Sequence, residues 1–284
     1  MAGFFQNLFL GDPNRPDFTP EMLPKNRLEL FWAMLKQSIF NLAKANLIYL
    51  LFSIPLCIWV WTNIQVMQGI LAQSAQTAIV DIFKGGYFLV FALGMILCFT
   101  IQGPAMAALT RLTRNWARDE SAYAWADFWS AIKANWKQGL LVGLINGVFF
   151  FVCALGIYFY AFIAEQNAVY AIFRIMLIVV LVLYLSMNLY LWPMLVTYNM
   201  RLIHIFSNAI LFSIGRLPFS LLFTFITALP VVICIAAPIA VFYYFLIGFA
   251  FHSFINVSYT NGVFDKYINS QIEGATVNRG LRPK

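Results

Sequence analysis

The feature that most limits how this chain can fold is a series of long intervals without a formal charge. Between Lys44 and Asp81 there is none, and the apolar part of that interval runs from about Ala45 to Ile64. Gly85 to Thr110 is a second interval and Gln138 to Ala164 a third; Ala168 to Met200 is a fourth, broken only by Arg174. A fifth, Leu217 to Phe264, would extend about 72 Å as one helix, against a hydrocarbon core about 30 Å thick. Pro230 and Pro238 lie near its middle, where each removes a backbone donor and favours a break, so two helices joined by a turn fit better. Lipid offers backbone groups no hydrogen bonds, so each interval reads as a helix. The expectation is an all-α integral membrane bundle, a single transmembrane domain over 1–284, with spans near 45–64, 87–110, 139–162, 169–198, 217–234 and 238–258.

Composition agrees. Only 10% of the residues are charged and 62% are hydrophobic, where soluble domains carry about 25% charged. A soluble fold could not cover its exterior, and 29 Phe, 13 Tyr and 8 Trp are too many for a solvated, disordered chain. The net charge of +7 gives no reason to invoke nucleic acid, because the basic residues sit between the apolar runs. If both termini face the cytoplasm, 16 of the 18 Lys and Arg fall inside, leaving only Lys84 and Arg174 outside. That asymmetry supports an even number of spans with cytoplasmic ends. The first residues lack a basic n-region and a continuous apolar core, so they do not read as a cleavable signal.

Three features stand out between and within the spans. The longest loop, 111–137, places Trp125, Phe128, Trp129, Ile132 and Trp136 on one helical face. This amphipathic segment reads either as an interfacial anchor or as a docking surface for a partner, carried by Trp125, Phe128, Trp129 and Trp136. Apolar lead-ins at Phe31 to Lys36 and Ala209 to Ile214 resemble it, and the three together outline a repeat of amphipathic helix plus helical hairpin. In the second span, Gly103 and Pro104 form a candidate hinge or cavity wall, or else a kinked packing site. Arg174 is the one charge inside a span; it either snorkels towards the headgroups or serves an anion or pairing role in the bundle.

Motifs for chemistry are missing. Cys57, Cys98, Cys153 and Cys234 are widely spaced in apolar segments, and neither His204 nor His252 has a ligand partner at helical spacing. No phosphate-binding glycine loop or nucleophile elbow occurs. The expectation is therefore no catalytic residue, no cofactor and no metal. Asp119, Glu120 and Asp127 read as a solvated charge cluster. The spans carry no acidic residue, which argues against ion-coupled secondary transport.

Several runs carry a resemblance. Gly103-Pro104-Ala105, Leu109-Thr110-Arg111, Arg114-Asn115-Trp116, Arg118-Asp119-Glu120 and Trp125-Ala126-Asp127-Phe128-Trp129 resemble the YesL-like bacterial membrane proteins, and Lys133 to Gln138 continue the match. Asn46-Leu47, Tyr49 to Phe52 and Ile54-Pro55 are similar to that family's first span. The resemblance runs loosely from about Leu28 to Tyr267. It implies a multi-pass protein of the bacterial inner membrane without assigned biochemistry, often encoded beside carbohydrate ABC uptake systems, and it supplies no catalytic residue. The function expected is an accessory or scaffold subunit, not an enzyme, with the lipid bilayer and ABC transporter subunits or another membrane protein as partners. The alternative is a small-solute permease or channel in its own right.

Overall fold

The structure, a computed structural model, describes residues 20–73, 86–164, 169–236 and 241–282. Those residues are almost wholly helical, with no strand among them. In chain order the main helices are α1 (Arg27–Gln73), α2 (Tyr87–Ala117), α3 (Ala124–Ala164), α4 (Val169–Thr197), α5 (Leu202–Gly215), α6 (Leu217–Ala236) and α7 (Phe249–Tyr267). A helical turn, Val241–Tyr243, and a π-helical stretch, Tyr244–Gly248, lead without interruption into α7. Five segments are long and apolar enough to cross a membrane, and the bent pair α5–α6 supplies a sixth candidate. The protein is a helical membrane bundle of five to six such segments.

Helix boundaries differ from the charge-gap expectation in one consistent way: the helices overrun the apolar intervals. α1 begins at Arg27 rather than near 45 and spans 47 residues, with Pro55 inside it. The stretch 111–137 is neither a loop nor a separate interfacial helix. α2 continues to Ala117, a short turn follows, and α3 then runs unbroken from Ala124 to Ala164. No proline interrupts α3, so nothing ends the helix where its character changes from amphipathic to apolar. Only the third lead-in is a separate helix. There, Gly215 closes α5 and Pro218 falls in the first turn of α6, where its missing N–H costs nothing; the two axes meet at 100°. The expected threefold repeat is thus two coaxial extensions and one corner. Of the turn expected near Pro230 to Pro238, Pro230 lies inside the continuous α6 and breaks nothing, while Pro238 lies outside the described residues, as do Lys84 and residues 1–19.

Packing concentrates in one half of the bundle. One core joins Leu30, Leu42 and Ile48 of α1 to Leu109, Leu112 and Trp116 of α2, Phe128 of α3, and Phe254 and Val257 of α7. A second joins Tyr190 to Leu195 of α4 with Ile205 and Ala209 of α5 and Val263 and Phe264 of α7. In α4 the buried residues run from Ser186 to Leu195, whereas Ile172, Ile175, Met176 and Val179 are exposed. Exposed aliphatic residues of this kind are what a lipid-facing half requires.

Two local devices hold the helices together. α3 carries Gly139, Gly143 and Gly147 four residues apart, and each lies against the backbone of α2. A Cβ on Gly103 would run into the Gly139 carbonyl, and one on Gly143 would sit 2.5 Å from the Phe99 carbonyl oxygen. Small residues at this spacing let two helix backbones approach closely, which is how apolar helices associate where no hydrophobic effect draws them together. The second device is Asn46 of α1. Its amide nitrogen donates to the carbonyls of Tyr244 and Phe245, both at 2.9 Å, and its oxygen accepts from the Ala250 N–H at 3.2 Å. The π-helical stretch departs from the i→i−4 ladder, and one buried amide ties three backbone groups there to α1.

Candidate functional site

The ends of four helices meet in an ionic network. Asp265, near the end of α7, is 1% exposed and accepts four hydrogen bonds. The donors are Arg27 at 2.6 Å, Arg118 at 3.1 Å, the Asn269 amide at 2.7 Å and the Asn278 backbone N–H at 3.1 Å. Arg118 also donates to the Thr276 carbonyl at 2.9 Å and pairs with Glu120 at 3.3 Å. Glu120 is shared further with Arg279 at 3.5 Å and, more distantly, with Arg114 at 3.8 Å. At the end of α4, Tyr198 donates to the Asn269 oxygen at 2.9 Å. Burial, and secondarily the nearby Asp265 charge, push its phenol up to about 12, so it remains a donor at neutral pH. The acidic cluster expected to be solvated is therefore divided. Glu120 belongs to this network, Asp119 is exposed at a left-handed φ of 55°, and Asp127 accepts the Tyr123 N–H at 2.6 Å.

Beside the network a basic cavity of about 690 Å³ opens between the end of α2, the first turns of α3 and the end of α4. Arg111, Arg114 and Lys137 line it, with Asn115, Gln138 and Asn199, and Glu120 as its acid. A second cavity, about 520 Å³, lies among the apolar halves of the helices and carries no charged residue. Gln102, Asn146, Asn188 and Asn256 supply amides there, beside Tyr49, Phe99, Phe150 and Trp192. The amides are largely committed within the protein. Gln102 donates to Ser53 at 2.7 Å, Asn146 to Asn188 at 3.1 Å, and Tyr184 to Asn146 at 2.6 Å. The Asn256 oxygen is buried without a partner among the described residues.

The residues singled out from the sequence scatter across this frame. Trp125, Trp129 and Trp136 are 60%, 37% and 48% exposed on the first turns of α3. Phe128, expected to share their docking face, is fully buried against Phe52, at 5.9 Å between ring centroids, and belongs to the core. A helical face is wider than a docking edge: the position nearest the bundle axis goes inside and its flanks stay out. Gly103 lines the uncharged cavity and packs on α3, and Pro104 sits buried inside the continuous α2, so both occupy the wall and packing seam. Arg174 is exposed on the outward half of α4, away from the core clusters. Cys57 is exposed while Cys98 and Cys153 are buried; the Cys234 side chain lies outside the description. No group of three or more His, Cys, Asp or Glu suited to a metal occurs among the described residues. Sequence reading missed Asp265 and Asn46, which lie far along the chain from their partners.

Comparison with known proteins adds one match. Residues 66–157 fit the family model described as "Protein of unknown function, DUF624". The match takes in the last turn or two of α1, all of α2 and most of α3, and so the glycine seam, the tryptophan edge and Arg111, Arg114 and Arg118. No curated protein matches, and no solved structure does either. The central third of the chain is thus similar to a family whose biochemistry is unassigned.

Proposed function

We propose that this protein is an accessory or scaffold membrane subunit that docks a second membrane component through the tryptophan edge at the start of α3. The carrying observation is the division of that helix into two sides. Phe128 and Ala131 are fully buried, while Trp125, Trp129 and Trp136, with the neighbouring Tyr123, remain exposed. The buried side fixes the helix, so the exposed indoles are presented without an ordering cost. Trp125 and Trp129 also brace one another edge to face, 5.8 Å apart. Exposed tryptophans on a rigid support are the residue type that most often dominates binding energy in interfaces. By the positive-inside rule this edge faces the cytoplasm of a bacterial inner membrane. The link to carbohydrate ABC uptake is supported by the YesL-like resemblance of the central segment, and the partner proposed is a permease subunit of such a system.

The test is recovery of that subunit. Wild-type protein drawn from native membranes in mild detergent should bring down an identified ABC permease subunit, and a Trp125→Ala/Trp129→Ala/Trp136→Ala variant should not. Equal recovery with both, or no permease subunit with either, refutes the docking reading. One observation favours a second reading, a small-solute permease: the uncharged, amide-lined cavity in the apolar half. Uptake of a neutral polyhydroxyl solute by proteoliposomes containing this protein alone, lost on Asn188→Leu, would support that reading instead.

A further inference from the structure

We propose that the basic cavity between α2, α3 and α4 binds a phosphoryl group, carried either by a small organic molecule or by an anionic phospholipid. The argument begins with a charge imbalance. Around the two carboxylates of Asp265 and Glu120 stand four guanidinium groups, those of Arg27, Arg114, Arg118 and Arg279. Arg111 and Lys137 add two more cations on the cavity wall and make no ion pair among the described residues. Asp265 is saturated by its four donors, and Glu120 is divided among three arginines.

Arg114 is only partly satisfied. Its side chain is 18% exposed; it donates to the Asn115 side-chain oxygen at 3.2 Å and reaches Glu120 at 3.8 Å, and its Nε is buried with no partner among the described residues. A partly buried guanidinium with a spare donor, beside two cations that make no ion pair among the described residues, leaves the cavity suited to an anion. The surplus exceeds one charge, so a phosphomonoester, at about −1.5 to −2 near neutral pH, offsets it more fully than a carboxylate does, whereas a singly charged phosphodiester headgroup is distinguished from a carboxylate by its oxygen geometry alone. Arginine forks match phosphoryl oxygens in geometry as well as charge. The volume, about 690 Å³, lies within the range of small-molecule sites. Trp136, Leu195 and Val196 supply an apolar wall for the organic part. The proposal needs no protein partner, and Arg111 and Lys137 test it apart from the docking edge, with which the cavity shares Trp136.

The full-length protein is reconstituted in phosphatidylcholine nanodiscs, and its thermal unfolding is followed against pyrophosphate at constant ionic strength. Binding to the native state alone raises the midpoint saturably. In Arg111→Gln/Lys137→Gln the half-saturating concentration should rise at least tenfold, with the ligand-free midpoint kept. A second arm replaces part of the lipid with phosphatidylglycerol. If the headgroup is the natural source, that lipid raises the wild-type midpoint, leaves the double variant unmoved, and blunts the pyrophosphate response. Should the double variant fail to fold, Lys137→Gln alone serves, because Lys137 is exposed and rests over the Trp136 ring. Absence of a saturable response to both probes, or identical responses in wild type and variant, overturns the proposal.

Discussion

Asp265 shows how much one buried side chain can hold. It accepts from two arginines of other helices and from the C-terminal segment, with partners 238 and 147 residues away in sequence. Asp265→Asn keeps the shape but leaves Arg27 and Arg118 facing a neutral acceptor. Removing one member of a buried pair typically costs about 3–5 kcal/mol, so the variant should unfold at a clearly lower temperature in detergent. An unchanged midpoint would remove the network from the account of the fold. Asn46 makes the same point inside the membrane. Asn46→Leu removes the bonds to the Tyr244 and Phe245 carbonyls and the acceptor of the Ala250 N–H, each worth about 0.5–1.5 kcal/mol. Hydrogen exchange should show amides 244–250 opening faster in that variant while α3 is unaffected. Neither residue was legible in the sequence. Asp265 follows the last apolar interval and Asn46 opens the first, and nothing local marks either, because their roles come from pairings between the two ends of the chain.

Helices are better read from sequence than the contacts between them. Charge gaps located every apolar segment, because the cost of unsatisfied backbone in lipid leaves few alternatives. They misplaced helix ends, because a helix stops at a breaker or a cap rather than where polarity returns. α1 and α3 therefore run on into charged sequence, while Gly215 and Pro218 end α5 and begin α6 as their chemistry demands. The α2–α3 seam was half legible: Gly103-Pro104 drew notice, but its counterpart, the four-residue spacing of Gly139, Gly143 and Gly147, did not. That seam makes a prediction at this scale. Gly143→Leu pushes a side chain into the Phe99 and Thr100 backbone, which a rigid helix cannot yield, so α2 and α3 must separate. Cysteines placed at 88 and 151, whose rings face one another across α2 and α3 at 5.1 Å between centroids, should cross-link readily in the parent and poorly in the variant. Gly156→Leu is the control, because Gly156 meets only the flexible end of Leu177 and should leave that cross-link intact.

At the scale of the whole molecule, the hydrogen bonds constrain topology more than the helix count does. Arg27 at the start of α1, Arg118 just past α2, and Asp265 near the end of α7 share one carboxylate. Tyr198, just past α4, bonds Asn269 beside it. The Arg216 guanidinium, between α5 and α6, lies over the rings of Tyr259 and Tyr267 on α7. Each of these chain positions therefore stands at the same end of the bundle. The layout expected from this leaves that end in α1, α3 and α6 and returns to it after α2, α4 and α7, within the five to six apolar segments. In that layout α5, set at 100° to α6, is expected to lie along the membrane plane, with Ile203, Leu211 and Ile214 exposed on its surface. This end holds Arg27, Arg111, Arg114, Arg118, Lys137, Arg216, Lys266 and Arg279, and by the positive-inside rule the cytoplasmic side is the one expected for it. Single cysteines at Ser121, Ser207 and Ser270, in a background without native cysteines, should all resist a membrane-impermeant thiol reagent in intact cells and react once the membrane is opened. One at Val169, the first residue of α4, should be more reactive from outside than one at Ile175, which faces lipid. Labelling of Ser270→Cys in intact cells with Ser121→Cys protected would place the two ends of the network on opposite sides, which its hydrogen bonds forbid, and would exclude this arrangement of helices in the membrane.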